Sequence, residues 1–257
     1  ENKHWIEQVQ SRTWMTLADI GKIRVGIKTT ADNVFIGDDW SGEKSELELL
    51  QPLITHRNAG QIIANRQDRW KVLYTHTMVD GKKGAYNIDN YPKSKAYLLT
   101  HFEQLNARNY VKKANRKWYE IWVPQNPEAW KHRKIVFRDI SEKPQFWLDD
   151  TGAIVNGDCY WIDINQDIVD DVVYLALAVA NSSFIEKFYD IKFNNKLYSG
   201  KRRYQTQYVE QFPIPYYGSN EAKEAITLVK KIIAEDTERV SLDDKAKLDS
   251  LVEQMFS

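Results

Sequence analysis

The sequence predicts an α/β chain of the α+β kind: a mixed, mainly antiparallel sheet with packed helices, followed by a C-terminal helical appendage. Three observations predict it. Short runs rich in β-branched and aromatic residues recur along the chain, each bounded by Gly, Pro, Asn or Asp. Apolar helical stretches interrupt them, and after Phe212-Pro213-Ile214-Pro215 the pattern turns to amphipathic helix alone. With 257 residues, 42% hydrophobic and 12% aromatic, the chain is long enough to bury a substantial core.

The elements follow in order. Residues 1 to about 14 carry Trp5, Ile6 and Val9 at helical spacing and read as a helical lead-in. Thr16 with Asp19 forms a capping box for a short helical turn over Leu17 to Ile20. Ile23, Val25 and Ile27 alternate with Lys22, Arg24 and Lys28, the period of a half-buried strand. Val34-Phe35-Ile36 offers the return strand of a hairpin whose wide polar tip is Thr29 to Asn33. Further strands are expected at Trp70 to Thr75, Lys134 to Arg138, Gln145 to Leu148 and Cys159 to Ile164. Pro92 suits the first turn of a helix running through Leu105.

Asp170 and Asp171 favour the start of a helix that stays apolar from Val172 to Ala180. Asn181-Ser182-Ser183 then recaps the chain into Phe184 to Tyr189, which makes the serines a cap and not a nucleophile. Two amphipathic helices close the sequence, one with Ile226, Val229, Ile232 and Ile233, the other opened by Ser241 with Asp244 as its capping-box partner. The expected organisation is a lead-in at 1–15, a main domain at 16–217 and a helical pair at 218–257.

Charge and motifs narrow the function. The formal net charge is zero, so any grip on nucleic acid must come from uneven distribution. Arg108 to Arg138 holds nine Lys/Arg against two acids, and Lys192 to Val209 five against none, whereas Ser141 to Asp171 holds eight acids against Lys143. The single cysteine, Cys159, lies in an apolar run and reads as a buried thiol. With no apolar run of membrane-spanning length and no signal pattern, a cytoplasmic protein without membrane contact is expected. The missing initiator Met points to a piece of something longer.

Catalytic motifs are absent. No Gly-x-Gly-x-x-Gly, phosphate-loop, His-Glu-x-x-His or Cys-x-x-Cys pattern occurs, and the five histidines are scattered, so no cofactor, metal or catalytic residue is expected in this stretch. Asp149-Asp150 and Asp170-Asp171 would be the carboxylates of a metal-dependent nuclease, but turn chemistry and a helix start account for both.

What remains is binding surface. Lys112, Lys113, Arg116 and Lys117 surround Asn115 and run into Trp118-Tyr119, the mixture that suits phosphates, base edges and stacking. The acid-free stretch from Lys192 to Gln207 is richer. It supplies Lys192, Asn194, Asn195, Lys196, Tyr198, Lys201, Arg202, Arg203, Tyr204 and Gln205, including amides able to read adenine and arginines able to read guanine. Lys28, Thr29 and Thr30 add a compact polar loop between strands.

The order of these segments resembles the TaqI-like C-terminal specificity domain of adenine-specific DNA methyltransferases and type IIG restriction-modification enzymes. The resemblance rests on Ile23 to Ile36, Leu50 to Ile54, the Leu-x-x-Arg at Leu105 to Arg108, and above all Arg116 to Trp122 followed by Lys134 to Ser141. Tyr174 to Ser182, Phe212 to Pro215 and Leu248 to Val252 extend it. The family's catalytic Asn-Pro-Pro-aromatic motif is missing, since Gln125-Asn126-Pro127-Glu128 lacks the second Pro and the ring. The resemblance implies a division of labour. An N-terminal methyltransferase domain of the same polypeptide would hold S-adenosylmethionine and methylate adenine, while this target-recognition part would bind double-stranded DNA in the service of phage defence. The rival within the class is half of a type I specificity subunit; from other classes come the nuclease and a structural or carbohydrate-binding module using the aromatic rings.

Overall fold

The computed structural model describes residues 1–257. The chain opens with α1 (Asn2–Ser11), β1 (Thr13–Thr16) and the one-turn α2 (Leu17–Ile20), whose capping box is present, the Thr16 N–H donating to the Asp19 carboxylate at 2.8 Å. Next come β2 (Gly21–Val25), α3 (Asp32–Phe35), β3 (Ile36–Gly37), β4 (Leu50–Ile54), β5 (Trp70–Leu73) and the hairpin β6 (His76–Val79) with β7 (Lys82–Ala85). The helix expected from Pro92 to Leu105 is divided into α4 (Pro92–Thr100) and α5 (Phe102–Asn106), with α6 (Asn109–Lys113) beyond. The break falls where the Thr100 hydroxyl donates to the Tyr97 carbonyl at 2.6 Å, competing with the helical ladder.

The second half runs β8 (Lys134–Arg138), β9 (Ile140–Ser141), β10 (Phe146–Asp149), β11 (Ile154–Val155) and β12 (Cys159–Ile164), then α7 (Asp170–Ala180) and α8 (Ser183–Phe193). After these come β13 (Arg202–Arg203), α9 (Thr206–Val209), β14 (Pro213–Pro215), α10 (Asn220–Glu235) and α11 (Leu242–Met255). Ser241 accepts the Asp244 N–H at 3.1 Å, which is one half of the expected capping box.

The mixed, mainly antiparallel content is divided between two principal sheets. The order β10-β8-β12-β2 is antiparallel throughout, whereas β11-β4-β5-β3 contains the parallel pair β11 and β4. Alternation along the first sheet sends side chains into two separate cores. Ile135, Phe137 and Ile162 enter one, shared with α7, α8, α10 and α11 through residues such as Leu175, Phe184, Val229 and Val252. Val136, Trp147 and Trp161 enter the other, shared with Val34, Phe35, Val72 and Leu98. Both faces are therefore covered, which is why β8 and β12 read as nearly continuous apolar runs. Cys159 is fully buried there, and burial pushes its thiol well above the usual range.

The expected hairpin between Ile23 and Ile36 does not form. β2 pairs with β12, while β3 pairs with β5 in the other sheet, and Val34 and Phe35 lie on the turn of α3. Both side chains are fully buried. A half-exposed strand would have turned one of two adjacent apolar residues to water; a helical turn buries both. No helix is long and apolar enough to cross a membrane.

Candidate nucleic-acid interface

One end of the first sheet organises the candidate surface. Register places Cys159 opposite Arg138, and Tyr160 opposite both Phe137 and Val25. The ends of β2 and β8 and the start of β12 therefore lie side by side. Three connections spring from that end: residues 26–31, residues 156–158 and residues 139–141. The first two pack backbone to backbone. A Cβ on Gly26 would stand 2.1 Å from the Asn156 carbonyl oxygen, and one on Gly157 2.6 Å from that of Ile27. Between them lies an open polar cleft of ≈ 580 Å³ lined by Lys28, Thr30, Asn33, Gln104, Asn156 and Asp158, among others.

Lys28 exchanges two backbone hydrogen bonds with Val123, at 3.0 and 2.8 Å, and so fastens the segment after Arg116 to this end of the sheet. Arg108 completes the fastening. Its buried guanidinium donates to the Thr29 carbonyl at 3.1 Å, the Thr30 hydroxyl at 3.3 Å, and the carbonyls of Trp118 and Glu120 at 2.8 Å each. Thr30 sits at φ 59°, a left-handed conformation costly for a β-branched residue, and these bonds hold it there. Asn115 at φ 56° and Gln125 at φ 61° are likewise left-handed, and the Gln125 amide donates to the Val25 carbonyl at 3.0 Å.

His76 supports the same segment from below. Its Nε2 accepts the Ile121 N–H at 2.9 Å, which places the ring proton on Nδ1, facing the Gly84 carbonyl at 3.1 Å. Burial depresses its pKa to about 4, opposed by the Glu120 carboxylate 4.0 Å away. Arg116 is also turned to structural use, donating to Glu120 at 3.1 Å and to the Trp122 carbonyl at 2.7 Å. Lys112, Lys113 and Lys117 remain exposed beside the edge-to-face pairs Tyr110–Trp122 and Phe102–Trp118, whose centroids are 4.9 Å apart.

The acid-free stretch begins where α8 ends on Asn194, left-handed at φ 47°. A tight hairpin follows. Lys196 bridges Arg202, Leu197 and Lys201 are joined at 2.7 Å, and Gly200 at φ 76° donates to the Leu197 carbonyl at 3.1 Å, the three-residue loop pattern that needs a left-handed glycine. β13 pairs with β9, setting Arg202 opposite Ser141 and Arg203 opposite Ile140. The hairpin is thereby stitched to the connection leaving β8, at the same end of the sheet as Lys28.

The expected contact residues divide into outward and inward sets. Lys28, Thr30, Lys112, Lys113, Lys117, Lys196, Tyr198, Lys201 and Arg203 are exposed, Arg203 lying 3.6 Å from Asp139. Lys192 is exposed as a residue, but its ammonium lies over the Phe188 ring at 5.2 Å, and partial burial lowers its pKa. Asn194 is exposed, Gln205 is half-buried, and Asn195 spends its amide on the Arg203 carbonyl at 3.1 Å. Thr29 and Tyr204 are buried. Arg202 is buried too, and grips both Asp190 oxygens at 2.8 Å, with the Glu142 carbonyl at 2.8 Å and Glu186 at 3.2 Å. A duplex reaches Arg202 only if those bonds break, so its place is inside the hairpin's foundation. Arg108, His76, Glu120 and Gln125 were not singled out as site residues from the sequence; a buried arginine serving three carbonyls and a hydroxyl on distant segments leaves no local pattern, and only the Leu-x-x-Arg spacing hinted at it.

Three of the four paired carboxylates are occupied by cations. Asp149 lies 3.0 Å from the fully buried Lys134 ammonium, Asp170 pairs with Arg133, and Asp171 with Lys230. Both acids of the second pair start α7, and no three His, Cys, Asp or Glu side chains gather as a metal-holding group.

Residues 83–214 match the family model of the TaqI-like C-terminal specificity domain. The chain is 41% identical over 238 residues to the type II methyltransferase M.BanIII of Aneurinibacillus aneurinilyticus, covering 91% of this chain and 41% of that protein. It is 27% identical over 242 residues to the type II methyltransferase M.BstVI of Geobacillus stearothermophilus, with 91% and 39% covered. The chain thus spans about two fifths of the length of these curated relatives. Among solved structures, the type IIL restriction-modification enzyme MmeI in complex with DNA shares the fold at TM-score 0.60 and 12% identity, over 95% of this chain and 34% of MmeI. The type IIG restriction endonuclease BpuSI matches at TM-score 0.50 and 11% identity, over 99% and 32%.

Proposed function

Since the chain belongs to the TaqI-like C-terminal specificity domain family, we propose that it grips double-stranded DNA and selects the site at which a separate catalytic domain methylates adenine. The observation that carries this reading is the gathering, at one sheet end, of Lys28, of the segment bearing Lys112 to Lys117, and of the hairpin bearing Lys196 to Arg203. Exposed ammonium groups there supply the sequence-independent attraction to phosphate, and in the cleft Asn156 and the Asn33–Gln104 pair, whose amides bond each other at 3.1 and 2.8 Å and keep further donor and acceptor capacity, supply hydrogen-bonding edges for bases. Left-handed Thr30, held by Arg108, fixes the backbone beside that cleft.

S-adenosylmethionine and the transfer itself belong, on this reading, to an N-terminal methyltransferase domain of the same polypeptide, in a cytoplasmic modification or fused restriction-modification enzyme acting against phage DNA. The chain's own glycines serve close strand contact: Gly21 faces the Asp163 carbonyl and Gly26 that of Asn156. A methylated base must leave the stack, at a cost of a few kcal/mol, and a domain holding the flanking duplex helps to meet that cost.

The test is duplex binding followed by fluorescence anisotropy across a salt series. Lys112→Ala, Lys113→Ala and Lys117→Ala together should lower the slope of log Kd against log salt by about 2 to 3 at unchanged stability. A chain that binds no duplex at low salt, or a triple variant with an unaltered slope, overturns the assignment.

A further inference from the structure

The hairpin tip carries a feature that phosphate attraction leaves unused. Tyr198 is fully exposed, at 109% of its reference accessibility, with Leu197 partly exposed beside it and Lys196 and Lys201 on either shoulder. The ring belongs to the first residue of the three-residue loop Tyr198-Ser199-Gly200. The loop is not loosely hung. Its base is Arg202, clamped to Asp190 through two bonds at 2.8 Å and to the Glu142 carbonyl, and its second strand is paired with β9. The ring therefore projects into solvent from a firmly anchored loop, between two cations, on the side of the fold that bears Lys28.

We propose that Tyr198 is a stacking wedge, which enters the duplex next to the selected adenine and lies against bases exposed when that adenine leaves the stack. The inference rests on the DNA-recognition reading and specifies how it is carried out. A flat ring with no acid nearby in sequence matches the face of any base, and stacking on an aromatic side chain is tolerant of base identity. Wedges of this kind partially unstack a base step and kink the duplex. Lys196 and Lys201 are placed to take the phosphates on either side, and the clamped Arg202 resists the recoil of the distorted DNA.

The test compares an intact duplex with one of the same sequence carrying a single abasic gap, scanned along a duplex selected for binding by the 257-residue chain. A wedge gains where the gap removes the unstacking cost. The chain should bind the duplex with the gap at one position about ten-fold more tightly than the intact one. Tyr198→Ala should abolish that preference, and Tyr198→Phe and Tyr198→Trp should keep it. Intact-duplex binding with no preferred gap position, or a preference that survives Tyr198→Ala, overturns the wedge while leaving DNA recognition standing. Absence of binding to every duplex overturns both.

Discussion

Arg108 is the residue whose loss should do most to the candidate interface without touching its outer surface. Arg108→Met keeps the aliphatic stem and removes every donor. The side chain is 6% exposed and bridges Thr29 and Thr30 on one segment to Trp118 and Glu120 on another. Loss of about 1 to 1.5 kcal/mol at each of the three bridged carbonyls gives roughly 3 to 4.5 kcal/mol, and relief from burying a charge offsets about 1 of that. A net destabilisation of about 2 to 3.5 kcal/mol follows. Thr30, released from its left-handed conformation, should relax and carry Lys28 with it, so duplex affinity should fall about ten-fold further than the unfolded fraction explains. Arg108→Lys should recover little, because one ammonium cannot serve carbonyls on both sides of the guanidinium plane. Urea unfolding and anisotropy at matched folded fraction measure the two effects. Less than 1 kcal/mol of destabilisation, with unchanged affinity, would refute the brace.

Two further outcomes are expected. His76 has a folded pKa of about 4 against about 6.5 when unfolded, so the unfolded chain takes up the proton first. Stability should fall as pH drops through the window from about 6.5 to about 4 and level off below it, by about 3 kcal/mol in all, and His76→Gln should remove this component from the urea midpoints. Arg202→Met should destabilise the chain by about 2 to 3 kcal/mol by leaving Asp190 and Glu186 without their cation, yet leave the salt slope of duplex binding unchanged; Lys201→Ala should do the reverse.

Much of the architecture was legible because periodicity and burial agree. β8 and β12 fall on the runs expected for them, and the apolar stretch of α7 is buried at nearly every position. Phe35 shows where legibility ends. Its run scores as strand locally, but it folds as the end of α3, where a neighbour in α4, far along the chain, braces the turn: the Tyr97 hydroxyl donates to the Val34 carbonyl at 2.6 Å. The candidate site divides in the same way. Exposed lysines are visible as composition, and their segments emerge on connected loops. Arg202 and Lys201 are adjacent cations in sequence, however, and only the hairpin pairing tells which points to water and which to Asp190. Arg108 was visible as a spacing and invisible as a brace, since its partners lie on segments that meet only after folding.

Two cationic segments, separated by some eighty residues of sequence, should face one double helix. Amine-reactive labelling read by peptide mass spectrometry, with and without bound duplex, tests it most directly. Lys112, Lys113 and Lys117 should be shielded together with Lys196 and Lys201, while Lys223 and Lys247 on the C-terminal helices label equally in both states. Shielding of one segment alone, or of Lys223 and Lys247 instead, would contradict a shared face.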